Sequence, residues 1–243
     1  MEINKILNHV QKGRDFIFDI LFPKYCLACG QEGSMLCNSC FYKLKINEKQ
    51  ICFFCNKGGV KGSLCAICRN KYHLDGILIA GNYKNLILSS LIKTLKYHFI
   101  QSNIDILERF IIYFFEYQKE TKNIPKHIFS KSIVVPVPLH PQRLRWRGFN
   151  QSELLANKIA KYFKLPLNTN LIRKKRKAPQ AKLPLNKRTN NIKQCFQWQG
   201  AKINKNIILV DDVITTGSTL NECAFVLKRA GAKKIWGFVL AKG

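Results

Sequence analysis

The chain has 243 residues, 47% of them hydrophobic, enough to bury a core in one large domain or two modest ones, which excludes wholesale disorder. Its 41 Lys and Arg against 14 Asp and Glu leave a formal charge of +27. Such a field suits a polyanion, nucleic acid foremost, or an anionic substrate, although a lysine- and isoleucine-rich genome composition gives the same sign. The most apolar stretches, Phe16–Phe22 and Phe110–Phe115, are too short to span a bilayer and are broken by Asp19 or followed by Glu116.

Taken in order, Ile3, Ile6, Leu7, Val10, Phe16, Ile17, Ile20 and Leu21 fall at helical spacing and predict an amphipathic helix over residues 1–23, ended by Pro23. Residues 24–70 lose that periodicity and carry eight of the ten cysteines. From residue 71 to 243 the pattern is that of an α/β domain. Strands are expected at Leu78–Tyr83, Ile133–Val137, Ile207–Val210 and Ile235–Leu240. Helices are expected at Leu86–His98, Ile104–Tyr117, Glu153–Phe163 and Thr219–Ala230. Strands separated by helices imply a parallel sheet flanked by helices. Arg173–Asn191, charged and aperiodic, reads as a long loop, and loops of that length are usually functional or disordered.

The cysteines form four Cys-x2-Cys pairs: Cys26 with Cys29, Cys37 with Cys40, Cys52 with Cys55, and Cys65 with Cys68. Zinc takes four soft ligands in a tetrahedron, and each knuckle supplies two from one tight turn. Eight such cysteines would hold two structural zinc ions, whose binding supplies folding energy that so short a segment cannot draw from an apolar core. A redox dithiol or an iron–sulfur cluster is the competing reading. Sequential pairing needs only short loops and is preferred. Cys195 and Cys223, far along the chain, read as buried thiols, and His73 as a surface histidine. Ten cysteines without a secretory signal point to a reducing, cytoplasmic setting, with any approach to the inner membrane face made through partners.

The segment from Ile207 to Thr219 concentrates the chemistry. An apolar strand ends in Asp211 and Asp212, and a hydroxyl-rich turn, Thr215, Thr216, Gly217, Ser218 and Thr219, opens a helix. In open α/β sheets ligands bind beyond the carboxyl ends of the strands, and backbone N–H groups at a helix start receive phosphate. Adjacent carboxylates suit vicinal ribose hydroxyls or Mg2+. The plainer alternative is a helix cap with an exposed acidic turn. No Gly-Lys-Ser/Thr follows, so the segment is not a P-loop.

A second concentration is electrostatic. Between Arg143 and Arg188 lie 14 Lys or Arg and one acid, Glu153. Arg145, Trp146, Phe149, the run Arg173, Lys174, Lys175, Arg176 and Lys177, and Arg188 suit a nucleic-acid backbone, with Trp146 and Phe149 placed to stack on unpaired bases. A solvated loop with its aromatic residues turned inward is the alternative.

The Asp-Asp strand and its Thr-Thr-Gly-Ser-Thr turn resemble the diphosphate-sugar signature of type I phosphoribosyltransferases. Val135-Pro-Val-Pro-Leu-His140, Arg143, Arg147 to Glu153, Leu95-Lys96-Tyr97, Arg173 with Gln180, and Arg188 with Asn191 ahead of Phe196 narrow this to the competence protein ComF family, with a further resemblance to the amidophosphoribosyltransferase-like group. That family often opens with paired Cys-x2-Cys knuckles. The resemblance implies that Asp211 and Asp212 meet the ribose of phosphoribosyl pyrophosphate (PRPP) with Mg2+, that Thr215–Thr219 cradle its 5′-phosphate, and that Arg143 or Arg147 serves the pyrophosphate. It also implies a cytosolic factor handling single-stranded DNA in natural transformation alongside the uptake helicase. The other expectation is an active phosphoribosyltransferase, a glycosyltransferase-class enzyme moving phosphoribosyl to an acceptor that the sequence does not name, with no catalytic base assigned.

Overall fold

The structure, a computed structural model, describes residues 24–98, 101–174 and 195–243. The expected helix over residues 1–23 and most of the expected long loop lie outside them. The described residues fall into two units, one ending at Leu44 and the other beginning at Lys45. In the first, Tyr25 bridges Glu32 and a single helical turn, α1 (Asn38–Phe41), follows. Only Leu36, Phe41 and Leu44 join Cys26 and Cys40 in its interior, which is too little apolar surface to order the segment without another source of stability.

The second unit opens with the third and fourth knuckles and α2 (Ala66–Lys71). It continues through β1 (Gly76–Asn82), α3 (Leu86–His98), α4 (Gln101–Glu120), β2 (Ser132–Pro136), α5 (Pro141–Arg147) and α6 (Gln151–Phe163). The last elements are β3 (Leu171–Arg173), β4 (Phe196–Trp198), β5 (Asn206–Ile214), α7 (Ser218–Arg229) and β6 (Ile235–Lys242). Four strands make a wholly parallel sheet in the order β1–β6–β5–β2, with Val134 opposite Ile208 and Leu209 opposite Gly237. β3 and β4 pair separately and antiparallel.

Period-two alternation sends successive side chains to opposite faces. On one face Ile77, Val135, Ile207, Leu209 and Val239 share a core with Leu220, Cys223 and Leu227 of α7. Cys52, Phe53, Leu64 and Cys68 belong to that same core, so the second knuckle pair is built into the sheet's packing. On the other face Phe238 meets Phe114 and Phe115 of α4, at 6.0 and 5.0 Å between ring centroids. The sheet is therefore covered on both sides, as its near-continuous apolar strands require.

The strands and helices expected from residue 71 onward are present with small shifts of their ends. The largest shift is at β5, which runs past both aspartates to Ile214, because Asp211, Val213 and Ile214 pair with Val239, Ala241 and Lys242 of a β6 that is itself two residues longer. The sequence reading did not include α5, β3 or β4. α5 has no buried residue and hence no apolar stripe to detect, and three-residue strands are too short for alternation to register.

Candidate functional site

β5 brings the two carboxylates to the carboxyl end of the sheet and separates them by its pleat. Asp211 faces α7: it lines a small polar cavity of about 40 Å3 with Val213, Thr215, Thr216, Gly217, Ser218 and Thr219, and its charge, after burial, helps push the Cys223 thiol of α7 upward. Asp212 turns the other way. Its Oδ2 lies 2.7 Å from Lys96 Nζ of α3 and its Oδ1 accepts the Val213 N–H at 2.8 Å. The pair is thus divided: Asp212 is engaged by a lysine inside the protein, and Asp211 lines the cavity beside the turn.

Asp211 is held in place by α6. Asn150 caps that helix by accepting the Ser152 N–H at 3.2 Å and anchors it by donating from Nδ2 to the Val137 carbonyl at 3.1 Å. Ser152 Oγ then donates to Asp211 Oδ1 at 2.9 Å, and the Asp212 N–H donates to the same oxygen at 2.9 Å. Burial, and then the neighbouring Asp212 charge, raise the Asp211 carboxyl to about 7, outweighing these hydrogen bonds and Lys96. A carboxyl left with such a raised pKa is poised to gain from a cation or from hydroxyl donors, the chemistry that Mg2+ or a ribose diol offers.

The turn that follows is preorganised. Gly217 sits at φ 77°, a left-handed conformation that glycine adopts without strain, and caps α7. Thr216 Oγ1 and Ser218 Oγ are 2.9 Å apart, and the Ser218 N–H donates to Thr216 Oγ1 at 3.3 Å. Backbone N–H groups and hydroxyls therefore converge where the helix dipole favours an anion. A larger cavity lies elsewhere, about 580 Å3 and lined by Phe115, Phe129, Phe163 and three lysines, with no carboxylate in its lining.

The eight knuckle cysteines gather sequentially paired, Cys26, Cys29, Cys37 and Cys40 in one cluster and Cys52, Cys55, Cys65 and Cys68 in the other, with all sulfurs of a cluster within 4.8 Å of one another. Sγ–Sγ distances of 3.8 Å for Cys26–Cys37 and 3.7 Å for Cys29–Cys37 and Cys55–Cys65 match the edge of about 3.8 Å of a tetrahedron with Zn–S bonds near 2.3 Å. They are far beyond a disulfide bond and too short to enclose an iron–sulfur cluster. Within each cluster the thiols pull apart electrically. Cys26 falls to about 6 as backbone N–H groups overcome its burial, whereas burial and the neighbouring sulfurs drive Cys40 up to about 12. Cys52 and Cys68 repeat the pattern. Four thiolates at such range need a cation between them, and the donor set fits zinc. Cys195 and Cys223 are buried, as expected. His73 is in neither cluster and donates its N–H to Asn221 Oδ1 at 2.8 Å.

The basic residues collect around α5. Pro141 starts this helix, with the His140 ring accepting the Gln142 N–H, and Gly148 ends it. Arg143, Arg145 and Trp146 are exposed, Trp146 by 69%. His140 is pushed down in pKa by burial and then by the charges of Arg173, Arg143 and Arg145, and Arg173, 30 positions after Arg143, lines a cleft with Pro141 and Leu144 of α5. Arg147 donates from Nη1 to Gln151 Oε1 at 3.2 Å, and Phe149 is half-buried. The Arg173 guanidinium lies 5.4 Å from the Phe196 ring centroid, and Lys174 is exposed. Lys175, Arg176, Lys177 and Arg188 lie outside the described residues. Among the described residues no helix is long and apolar enough to cross a membrane.

The site residues that sequence reasoning missed are Lys96 and Ser152. Both stood inside family-like motifs, but only the fold shows that they reach Asp212 and Asp211.

Comparison with known proteins agrees with this arrangement. The phosphoribosyl transferase domain family matches residues 150–243, and the double zinc ribbon domain family matches residues 17–69. Competence protein F of Haemophilus influenzae is 36% identical over 114 residues, covering 44% of this chain and 50% of the relative. The DNA utilization protein YhgH of Escherichia coli K12 is 34% identical over 110 residues, covering 45% and 48%. Competence protein ComFC of Streptococcus pneumoniae is 32% identical over 108 residues, covering 44% and 47%. The chain spans about half the length of the curated relatives it matches. A purine phosphoribosyltransferase from Pyrococcus horikoshii aligns over 57% of this chain and 69% of its own at 20% identity, but its TM-score of 0.32 is too low to bear on the fold. With a double zinc ribbon match ahead of a phosphoribosyl transferase domain match, the chain is similar in these segments to competence protein F and its relatives.

Proposed function

We propose that this protein binds PRPP with Mg2+ at the carboxyl end of β5 and single-stranded DNA on the basic face around α5, and that it serves DNA uptake and use in natural transformation. The observation that carries the first part is the presentation of Asp211, raised in pKa, beside the hydroxyl-rich cap of α7. Asp211 faces the ribose diol and the metal, Thr215–Thr219 receive the 5′-phosphate, and Lys96 fixes Asp212 so that it braces the strand. Arg143 is the exposed candidate for the pyrophosphate. The residues fit a magnesium ion held through Asp211 and substrate oxygens, the donor set this cation prefers; bound there, it would neutralise the pyrophosphate.

The second part rests on Arg143, Arg145 and Arg173 gathered about His140 with Trp146 exposed among them. Three guanidinium groups and a stacking ring are the elements of a single-strand platform. The thiol-rich metal clusters support a reducing, cytoplasmic setting, and the names of the relatives support a role in competence and DNA utilisation. An uptake helicase is the partner this role calls for.

The test is titration calorimetry of the zinc-loaded chain with PRPP and Mg2+, with and without a saturating single-stranded oligonucleotide. Binding of both, with the oligonucleotide altering PRPP affinity, supports one machine with coupled sites. Oligonucleotide binding without PRPP binding overturns the PRPP reading. Release of pyrophosphate in the ternary mixture would point to the transferase reading.

A further inference from the structure

We propose that Phe54, between the ligands of the second cysteine cluster, is a positioning residue for the phosphate loop, so that metal in this cluster sets the loop's order and its affinity for phosphate. This rests on the assignment of Thr215–Thr219 as the PRPP phosphate site.

The argument begins at Gly217. A Cβ built there would stand 2.8 Å from a ring carbon of Phe54 and 3.0 Å from one of Phe53. Ring carbons of two aromatic side chains, set edge to face with their planes at 75°, therefore stand close against the backbone of the loop at Gly217. Both rings come from the knuckle Cys52-Phe53-Phe54-Cys55, whose first and last residues are cluster ligands. The two-residue span between ligands leaves the rings little freedom when the sulfurs are gathered, and no defined position when they are not. Phe53 is 6% exposed and Phe54 stacks on Tyr72 with centroids 3.4 Å apart and planes 3° from parallel. Tyr72 follows the helix that carries Cys68, so the metal cluster fixes both members of that stack.

Two polar ties act alongside the rings. The His73 N–H donates to Asn221 Oδ1, and Asn221 in turn donates its N–H to the Gly217 carbonyl at 2.9 Å. At the end of β6, Lys242 Nζ donates to Asn56 Oδ1 at 3.0 Å and lies 5.3 Å from the Phe53 centroid. Its neighbour Gly243 donates to the Ile214 carbonyl just before the loop. The ribbon thus touches the loop from below through aromatic rings and grips it at both ends. Anion recognition by backbone N–H groups demands fixed geometry, and a small misplacement of such donors is enough to weaken binding strongly.

The test compares wild type, Phe54→Ala and Phe54→Leu in the full zinc-loaded chain. Zinc content, amide hydrogen exchange of residues 215–219 and of β5 residues 207–210, and PRPP affinity by calorimetry are measured on each. The expected result is two zinc ions and unchanged protection of 207–210 in all three, faster exchange of 215–219 in Phe54→Ala, and PRPP affinity about tenfold weaker there. Phe54→Leu, which keeps apolar bulk over Gly217, lies near wild type in both readouts. Wild-type exchange at 215–219 in Phe54→Ala overturns the proposal. If Phe54→Ala loses zinc or the protection of β5, Phe54→Leu decides, and wild-type exchange at 215–219 in a metal-depleted sample of that variant overturns it. If wild type binds no PRPP, the PRPP assignment fails on its own, and the exchange data still decide whether Phe54 orders the loop.

Discussion

Replacing Asp211 by Asn should abolish PRPP binding while making the ligand-free protein more stable at neutral pH. Asn keeps an oxygen for the Ser152 hydroxyl and the Asp212 N–H but removes the charge that burial and Asp212 oppose. In the folded protein the Asp211 carboxyl is raised to about 7 from its usual 3.8. A raised acid favours the fold in its protonated form, so its contribution is complete below the unfolded pKa and is lost as pH rises through the folded one. With those two pKa values, wild type should lose about 2 kcal/mol relative to Asp211→Asn between pH 5.5 and pH 8, and about half that where Asp212 shares the proton. The assay is urea denaturation of both proteins at a series of pH values, taking the difference so that other titrating groups cancel. A pH-independent difference would refute the claim that Asp211 is electrostatically strained. A strained carboxyl kept at a cleft is what a ligand-binding role explains and a stability role does not.

Lys96→Ala strands the buried Asp212 charge and should cost about 2–4 kcal/mol, seen as a fall in Tm of roughly 5–15 °C; an unchanged Tm would show that the ion pair at 2.7 Å contributes little. Arg145→Ala should weaken binding to an oligonucleotide and reduce the slope of log affinity against log salt by about 0.7, read by fluorescence anisotropy, whereas Trp146→Ala should weaken binding with the slope intact because stacking releases no counterions. Elemental analysis should find two zinc ions per chain, and a strong chelator should expose eight further thiols to a thiol reagent. Because Cys52 and Cys68 share a core with the sheet, chelation should also lower the stability of the second unit; a denaturation profile of that unit indifferent to chelator would contradict this.

Much of this was written in the sequence's periodicity. Ile207–Val210 announced a buried strand, Asp-Asp with Thr-Thr-Gly-Ser-Thr announced a polar turn at its end, and four evenly spaced Cys-x2-Cys pairs announced two tetrahedral sites with sequential pairing. What escaped was whatever depends on contacts between distant residues. The different roles of Asp211 and Asp212 follow from strand pleat plus the arrival of Lys96 from 116 positions earlier. Ser152 reads as an ordinary first-turn serine until α6 is docked against β5. α5 gave no signal because it buries nothing. The placement of Phe53 and Phe54 beneath Gly217 could not be seen because a zinc knuckle reads as self-contained, whereas here its apolar residues complete the core of the sheet.

The most direct test of the account is phosphorus NMR of PRPP with Mg2+ titrated with the zinc-loaded chain and with its Asp211→Asn variant. The 5′-phosphate resonance should shift and broaden with wild type, reporting its capture by the Thr215–Thr219 turn, and stay unperturbed with the variant. A 5′-phosphate resonance indifferent to wild type, or equally perturbed by both proteins, would contradict the assignment of this turn and its carboxylate as the PRPP site.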